Sequence, residues 1–258
     1  MTLPRIAQCL ATLASFALCG AAQAARPLAT EDADVLDRDQ CEAEGVIAQS
    51  KPSGQPSTRG WTALGTCGVG ANTQLILAYN RSRTDDASVS GLLFGGKTAL
   101  MRREGDGLGV TLAWGLVSAK AETGSMEHEL TYLNAVASRD LAPGWTGHAN
   151  LGWVRSESAS SSSTTWNVAI EHALGNGVDL TGELYGDDRA KPWIGVGARW
   201  AVSDKLSLNA GFATQRETPR VNAWSIGFKL AFRTPASLLD HVGALGRDEL
   251  EGIGRRRR

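Results

Sequence analysis

The segment from Trp224 to Phe232 reads Trp-Ser-Ile-Gly-Phe-Lys-Leu-Ala-Phe and alternates large apolar residues with small or polar ones. Successive side chains of a β-strand point to opposite faces, so a strand here carries its large apolar side chains on one face only. Such a strand needs an apolar environment on that face. The environment is either the core of a soluble sheet or the lipid around a membrane barrel with a wet interior.

Strand-like stretches with turn-rich residues between them follow one another from residue 40 onward. They cover residues 40–50, 58–69, 72–83, 89–103, 107–119, 126–138, 143–156, 164–174, 177–187, 190–202, 205–216 and 220–232. Most have about ten residues or more, which suits a tilted membrane strand better than the five or six residues usual in soluble sheets. The sequence therefore predicts an all-β fold, an antiparallel transmembrane β-barrel of about 12 strands over residues 40–232. The alternative is a soluble periplasmic β-sandwich or lipocalin-like binding protein whose apolar faces form a core.

An even number of strands brings both ends of the barrel domain to the periplasm. The connectors that begin at Val69, Leu174 and Val202 are tight, whereas the connector from Glu157 to Thr164 is longer and polar. This asymmetry is typical of periplasmic turns and outer loops. Four tryptophans near strand ends suit the interfacial belts of a membrane barrel. They are Trp145, Trp166, Trp193 and Trp200.

The first residues predict an export signal over residues 1–24. Arg5 precedes an apolar run over residues 6–21, and Ala22-Gln23-Ala24 is a small-x-small site for signal peptidase, which leaves Ala25 as the mature N-terminus. A lipoprotein acylated at Cys19 is the alternative. No later run approaches the roughly 18 apolar residues that a helical membrane span needs.

Two of the four cysteines leave with the signal, and Cys41 and Cys67 remain for an oxidising compartment. The first two predicted strands form a hairpin about Gly54, and the two cysteines lie at equal distances from it along the sequence. Directly opposed residues of a hairpin lie close enough for a bridge. The sequence thus predicts a Cys41–Cys67 disulfide, with two free buried cysteines as the alternative.

If the apolar faces contact lipid, the same alternation places charged side chains in the barrel interior. These lumen-lining candidates are Lys97, Glu129, Glu171, Asp179, Glu183, Arg199 and Lys229, with Glu42 and Glu44. An isolated charge in a narrow barrel costs desolvation energy, so several of them are expected to pair or to stay hydrated. The set is either a salt-bridged polar filling or a constriction that selects small solutes. On the lipid side, Leu208→Arg is expected to impair folding.

Other functions find little support. The net charge of −1 gives no reason to expect nucleic-acid binding. His128, His148, His172 and the serines at 160–163 occur without a nucleophile motif such as Gly-x-Ser-x-Gly. The sequence predicts no catalytic, metal or cofactor site and therefore no enzyme, with an outer-membrane lipid-modifying enzyme as the less favoured alternative.

The last predicted strand resembles the C-terminal strand of bacterial outer-membrane barrels. Ser225, Gly227, Leu230 and Phe232 occupy the places of the polar-x-Gly-x-x-apolar-x-aromatic signal. The resemblance implies recognition by the barrel-assembly machinery and contact with outer-membrane lipid. Residues 233–258 follow this strand as a predicted periplasmic tail, with an amphipathic pattern over 238–245 and a basic end at 255–258.

A second resemblance covers residues 26–44. Arg26-Pro27-Leu28, Thr30, Asp32-Ala33 and Gln40-Cys41-Glu42-Ala43-Glu44 are similar to a group of proteobacterial outer-membrane proteins assigned to the phenol meta-cleavage pathway and to transport across the outer membrane. The resemblance implies an outer-membrane location and a role in transport of an unknown small solute. Residues 25–39 are then a periplasmic N-terminal segment that is either a flexible leader or a plug or lid. A narrow passive pore is the function that these features favour.

Overall fold

A computed structural model describes residues 28–85 and 87–234. The predicted export signal and the amphipathic and basic parts of the tail lie outside these described residues. No helix in the described ranges is long and apolar enough to span a membrane.

The described chain folds into twelve β-strands. They are β1 (Gln40–Pro52), β2 (Thr58–Gly70), β3 (Thr73–Thr84), β4 (Ala87–Met101), β5 (Leu108–Ala121), β6 (Glu127–Ala142), β7 (Trp145–Ser156), β8 (Ser161–Gly175), β9 (Val178–Asp187), β10 (Trp193–Ala201), β11 (Leu206–Gln215) and β12 (Val221–Arg233). Each strand pairs antiparallel with the next, and β12 pairs with β1 and closes the barrel. The predicted twelve-stranded barrel is confirmed, and the sandwich alternative is wrong because a closed barrel leaves no second sheet.

The apolar face of β12 points outward. Its five large apolar side chains, Trp224 to Phe232, are between 41% and 53% exposed, whereas Gly227 between them is buried. Other strands show the same arrangement, with exposed leucines outside and a buried Lys97 inside. Water would not stabilise a continuous apolar exterior of this size, so the surrounding medium is lipid.

The two ends of the barrel differ. Asp39 and Thr234 meet at one end, where the backbone N–H of Thr234 donates to the Asp39 carbonyl at 3.0 Å. Three of the five connectors at this end are two-residue turns, and in two of them, Ala71-Asn72 and Asn176-Gly177, both residues have positive φ, the conformation of tight hairpins. Short turns and chain termini are typical of the periplasmic side. We call this end the periplasmic end and the opposite one the outer end.

The tryptophan prediction was wrong at Trp193. Trp200 lies on the exterior and is 51% exposed. Trp193 is an odd number of residues away on the same strand and therefore faces the lumen, where its ring is parallel to that of Tyr185 with 6.0 Å between the centroids. Proximity to a strand end does not by itself select the lipid face.

The predicted disulfide is confirmed. Cys41 and Cys67 are directly opposed in the β1–β2 register, with their Cα atoms 4.1 Å apart, and are bonded. The bond fixes the first hairpin at its periplasmic end, next to the place where β1 closes the barrel against β12.

We expect the Cys41→Ser/Cys67→Ser variant to unfold at a lower urea concentration than the wild type. A loop of about 25 residues restrains the unfolded chain by roughly 3 kcal/mol in the entropic account. Urea unfolding in detergent, followed by the heat-modifiable gel band, measures the difference. Wild type treated with reductant should match the variant, and an unchanged midpoint for both would contradict the predicted contribution.

Candidate functional site

Residues 28–39 lie inside the barrel, and we call this segment the plug. It starts from β1 at the periplasmic end and extends toward the middle of the lumen, where Thr30, Glu31 and Ala33 are buried. It forms a parallel bridge to β2 between Arg38 and Gly68. An irregular segment at membrane depth needs partners for its backbone groups, and here the barrel wall supplies them.

Glu183 on β9 holds the inner end of the plug. Its carboxylate accepts hydrogen bonds from the backbone N–H groups of Ala29 and Thr30 at 2.8–2.9 Å. The Thr30 hydroxyl donates to the same carboxylate at 2.8 Å. A carboxylate surrounded by donors needs no cation beside it, since these charge-assisted hydrogen bonds satisfy its oxygens.

Uncharged side chains from the facing strands hold the middle of the plug. The Asn150 amide accepts from the Glu31 N–H at 2.7 Å and donates to the Glu31 carbonyl at 3.0 Å. Ser138 accepts from the Ala33 N–H at 2.8 Å, and Thr111 donates to the Ala33 carbonyl at 2.6 Å. These side chains replace the backbone partners that an extra strand would find in a sheet.

Basic residues of β4 and of the connector after it hold the acidic side chains of the plug. Lys97 is 2% exposed, and its ammonium donates to the Asp32 carbonyl at 2.7 Å and to the Asp32 carboxylate at 3.2 Å. Arg103 and Arg102 pair with Asp34 at 2.7 Å and Asp37 at 2.6 Å. The positive charges that hold the plug therefore come from one part of the wall.

Gly68 on β2 permits close approach of the plug. A side-chain carbon at this position would overlap the carbonyl oxygen of Asp37. Any larger residue would push the plug away from β2 and weaken the neighbouring hydrogen bond from the Leu36 N–H to Gln74, now 2.8 Å long.

Arg199 forms a second charged group on the lumen wall. Its guanidinium lies between Glu171 at 2.7 Å and Asp179 at 2.8 Å, so three of the predicted lumen residues meet across β8, β9 and β10. Together the three residues form a charged triad on the lumen wall. It lies in the periplasmic half of the barrel, because Asp179 and Arg199 are near the periplasmic ends of their strands.

Among the remaining predicted residues, Glu44 is buried on the inner face of β1, and the others lie nearer the rims. Lys229 pairs with Glu42 at 3.1 Å across the β1–β12 junction. Glu129 lies at the outer end of β6, where it accepts a hydrogen bond from Ser156 at 3.1 Å. It is the extra residue of a bulge opposite Val117 and Ser118, which interrupts the alternation used to assign it to the interior.

Sequence reasoning missed the uncharged residues that bind the plug. Asn150, Ser138 and Thr111 occupy inward positions by the same alternation that selected the charged residues. The sequence signal for these residues was a polar side chain among apolar neighbours at an inward position. This signal is weaker than that of a charged side chain, because hydroxyls and amides are also common on a hydrated lumen wall.

Ser138 also lies 2.8 Å from His148 Nδ1, a spacing found in nucleophile–base pairs. The serine oxygen already accepts the Ala33 N–H, and the residue is 1% exposed beneath the plug. A substrate cannot reach it while the plug is docked. The pair serves to hold the plug in this arrangement.

Between the plug and the outer end lies a solvent-open space of about 180 Å³, which we call the outer vestibule. Leu28 and Ala29 form its floor, and Tyr185 and Trp193 form part of its wall. The other inward-facing residues around it are uncharged: Val46, Val221 and several alanines are apolar, and Ser50, Thr62, Asn80, Ser82 and Gln215 are polar. Glu183 supplies the one inward-facing charge among these lining residues, and it is engaged by the plug.

Burial raises the pKa of the Glu31 carboxyl in the plug to about 7. The Lys97 ammonium opposes this shift and the Asp32 carboxylate adds to it. One Glu31 oxygen, Oε2, has no hydrogen-bond partner among the described residues. The docked plug therefore binds a proton that a solvated glutamate, with an ordinary pKa of 4.5, releases.

We expect the plug to be docked most firmly in acid and to loosen as the pH rises. Below about 4.5 the carboxyl is protonated in both states, and between about 4.5 and about 7 only the docked state retains the proton. Between these two pH values the equilibrium constant for undocking should rise by up to about tenfold per pH unit, and above a pH of about 7 it should not change further. Bilayer conductance over this range measures the effect. Glu31→Gln should abolish it, and a slope that persists in this variant would assign it to another group such as His148.

A closed antiparallel barrel with a lipid-facing apolar exterior and charged side chains in its interior is an outer-membrane β-barrel, and similar solved structures agree. A KdgM porin has a TM-score of 0.50 at 6% identity over 74% of this chain and 99% of its own. The COG4313 outer membrane channel from Pseudomonas putida F1 has a TM-score of 0.55 at 10% identity, covering 78% and 98%. The translocator domain of the autotransporter NalP from Neisseria meningitidis has a TM-score of 0.53 at 14% identity, covering 88% and 98%. At such identities the similarity establishes the fold and not the cargo.

The family model described as "Uncharacterised conserved protein UCP029691" matches residues 12–251, and the chain belongs to that family. Comparison with curated proteins gave no match.

Proposed function

We propose that this protein is a narrow outer-membrane channel for small, uncharged polar solutes, closed by its own N-terminal plug. The observation that carries the proposal is the outer vestibule, which opens outward and ends on the plug at Leu28 and Ala29. A solute can enter this space from outside but has to displace the plug in order to pass.

The contacts of the plug suit displacement. They are hydrogen bonds and ion pairs to side chains, and each hydrogen bond contributes on the order of 1 kcal/mol net because water can replace the lost partner. The covalent attachment at Asp39 keeps a displaced plug close to the lumen, so that it can dock again.

The proposed solute class follows from the lining of the outer vestibule. One similar structure is a KdgM porin in complex with disordered oligogalacturonate, which is an anionic sugar chain. The outer vestibule described above offers hydroxyls, amides and a Tyr185–Trp193 pair, with no inward-facing cation among its lining residues. Hydrogen-bonding groups next to aromatic faces favour a neutral polar solute over an anion.

A reversible lock on the plug tests the channel proposal. A side-chain carbon at Gly109 would lie 3.2 Å from the Ala33 Cβ, a few tenths of an ångström below the usual range for disulfides. The Ala33→Cys/Gly109→Cys variant should pass a small neutral sugar in a liposome-swelling assay when reduced and should block it when oxidised. Adding Lys97→Met to the double-cysteine variant should raise the swelling rate of the reduced form.

Wild type under the same reductant is the control for the native disulfide. Equal rates in the oxidised and reduced double-cysteine variant would contradict a plug that closes the channel. No swelling in any variant, with or without reductant, would contradict the channel itself.

Three further assignments belong to this proposal. The seven lumen residues predicted from the sequence act as plug anchors and wall charges, and no residue acts as a catalyst.

The β12 residues Ser225, Gly227, Leu230 and Phe232 form the signal for the barrel-assembly machinery. Phe232→Ala should therefore slow membrane insertion in a reconstituted assembly assay. The similarity of residues 26–44 to the phenol meta-cleavage group supports a role in transport.

A further inference from the structure

The exterior of β2 and β3 changes character near the outer end. Most outward positions of the barrel carry apolar residues, but here Arg59, Arg81 and Arg83 are exposed. They alternate with the inward-facing Gly60, Ser82 and Thr84, so they point away from the lumen and toward the surrounding membrane.

The register brings the three arginines together. Arg59 is directly opposite Arg83, and Arg81 is directly opposite Trp61, one inter-residue pair further into the membrane on the same face. Like charges at directly opposed positions destabilise a sheet unless something neutralises them. Opposed arginines therefore need polar or anionic groups close to them.

Within the described part of the chain, Arg59 and Arg81 form no ion pair. Arg59 Nε donates to the Gln49 side-chain oxygen at 3.1 Å, and Arg81 donates to the Ser88 hydroxyl at 3.5 Å. Arg83 Nε donates to the backbone carbonyl of Asp85 at 2.8 Å. The partners of Arg59 and Arg81 are neutral, so they orient these two guanidinium groups without cancelling their charge.

An apolar groove lies directly below the arginines on the same outer surface. It is an open depression of about 400 Å³, and its lining combines the three arginines with Ile47, Trp61 and Trp224. Ile47 is 54% exposed, and the Trp61 ring packs against Tyr79 with 5.5 Å between the centroids. The site thus has cationic groups toward the rim and an apolar surface toward the bilayer centre.

We propose that this groove binds a phosphorylated lipid of the outer leaflet, with its phosphate on Arg59, Arg81 and Arg83 and an acyl chain along Ile47 and Trp61. Arginine pairs with phosphate through parallel hydrogen bonds, and the pairing is strong where water is scarce. The groove opens to the lipid side of the wall and not to the lumen, which favours a lipid over a transported anion. Clusters of basic residues at a membrane interface bind anionic headgroups by the same electrostatics. The proposal is independent of whether the lumen conducts.

Native mass spectrometry of the full chain in a neutral detergent tests the site. The probes are bisphosphorylated lipid A and its dephosphorylated form. We expect the wild type to retain the bisphosphorylated lipid at least tenfold better than the dephosphorylated one. The Arg59→Gln/Arg81→Gln/Arg83→Gln variant should lose that preference, and Trp61→Ala should weaken binding of both lipids.

Arg155→Gln is the matched control, because Arg155 is an exposed arginine near the outer end of β7 that already pairs with Glu157 at 2.9 Å. It should bind lipid as the wild type does. Equal retention by the triple variant and the wild type, or an equal loss in Arg155→Gln, would overturn the proposal. If the triple variant fails to show a folded gel band, the single Arg59→Gln and Arg81→Gln variants decide the outcome by the same criterion.

Inorganic phosphate as competitor separates a lipid site from a free-anion site. Millimolar phosphate should leave the bound lipid in place, because it offers no acyl chain to the groove. Complete displacement by phosphate alone would assign the arginines to a soluble anion and reject the lipid.

Discussion

Lys97→Met is expected to open the lumen. The lysine is buried and holds Asp32 through both its backbone carbonyl and its carboxylate. Removing one partner of a buried charge pair costs about 3–5 kcal/mol, since the other charge is left without compensation. Only the docked plug bears this cost, so the open fraction in single-channel records should rise by a hundredfold or more.

Two variants show whether the effect comes from the plug. Lys229→Met removes a lumen lysine that pairs with Glu42 on the wall, and it should leave the open fraction near that of the wild type. Asp32→Asn/Lys97→Met removes both charges of the buried pair and should restore much of the closure. If Lys97→Met and Lys229→Met open the channel equally, the specific role of Lys97 is wrong.

Ile226→Arg is expected to destabilise the folded barrel by about 2–4 kcal/mol. Ile226 lies on the exterior near the middle of β12, between Ile47 and Ala210 of the neighbouring strands, and is 53% exposed to lipid. An arginine near the bilayer midplane carries this cost, and the cost falls toward the interfaces. Urea unfolding of the protein in lipid vesicles measures it.

Leu208→Arg provides a depth comparison. The leucine is also exterior, but it is the third residue of β11 from the periplasmic end, so its arginine reaches the interface more easily. We expect a smaller loss than for Ile226→Arg. Lys229→Gln changes a lumen residue and should fold normally. Equal losses for Ile226→Arg and Lys229→Gln would contradict the assignment of faces.

The wall of the barrel was predictable because it depends on short-range regularities. The period of two in Trp224 to Phe232 gives the lipid face of β12, and repetition of that period gives the number of strands. The hairpin centre at Gly54 gives the register that opposes Cys41 and Cys67. Each of these inferences requires only neighbours in sequence, or partners joined by one turn.

The alternation was less reliable where it is interrupted locally. The bulge in β6 adds one residue and moves Glu129 to the outer rim, and no sequence signal marked that position. Trp193 faces the lumen because the register of β10 outweighs the preference of indole for the membrane interface. Depth is a further quantity that alternation does not contain, as Leu208 and Ile226 illustrate.

The plug was decided by tertiary structure alone. Residues 28–39 have no period of their own, so their sequence was compatible with a flexible leader or with a plug. Their partners are distant in sequence, 65 residues away for Asp32 and Lys97 and 154 for Ala29 and Glu183. The arginines of the outer groove likewise come together only through pairing of β2 with β3. A strand's own sequence specifies its two faces, because alternation is local. Which side chains from different strands come into contact, inside or outside the barrel, is specified only by the closed barrel, because closure sets the distances between strands.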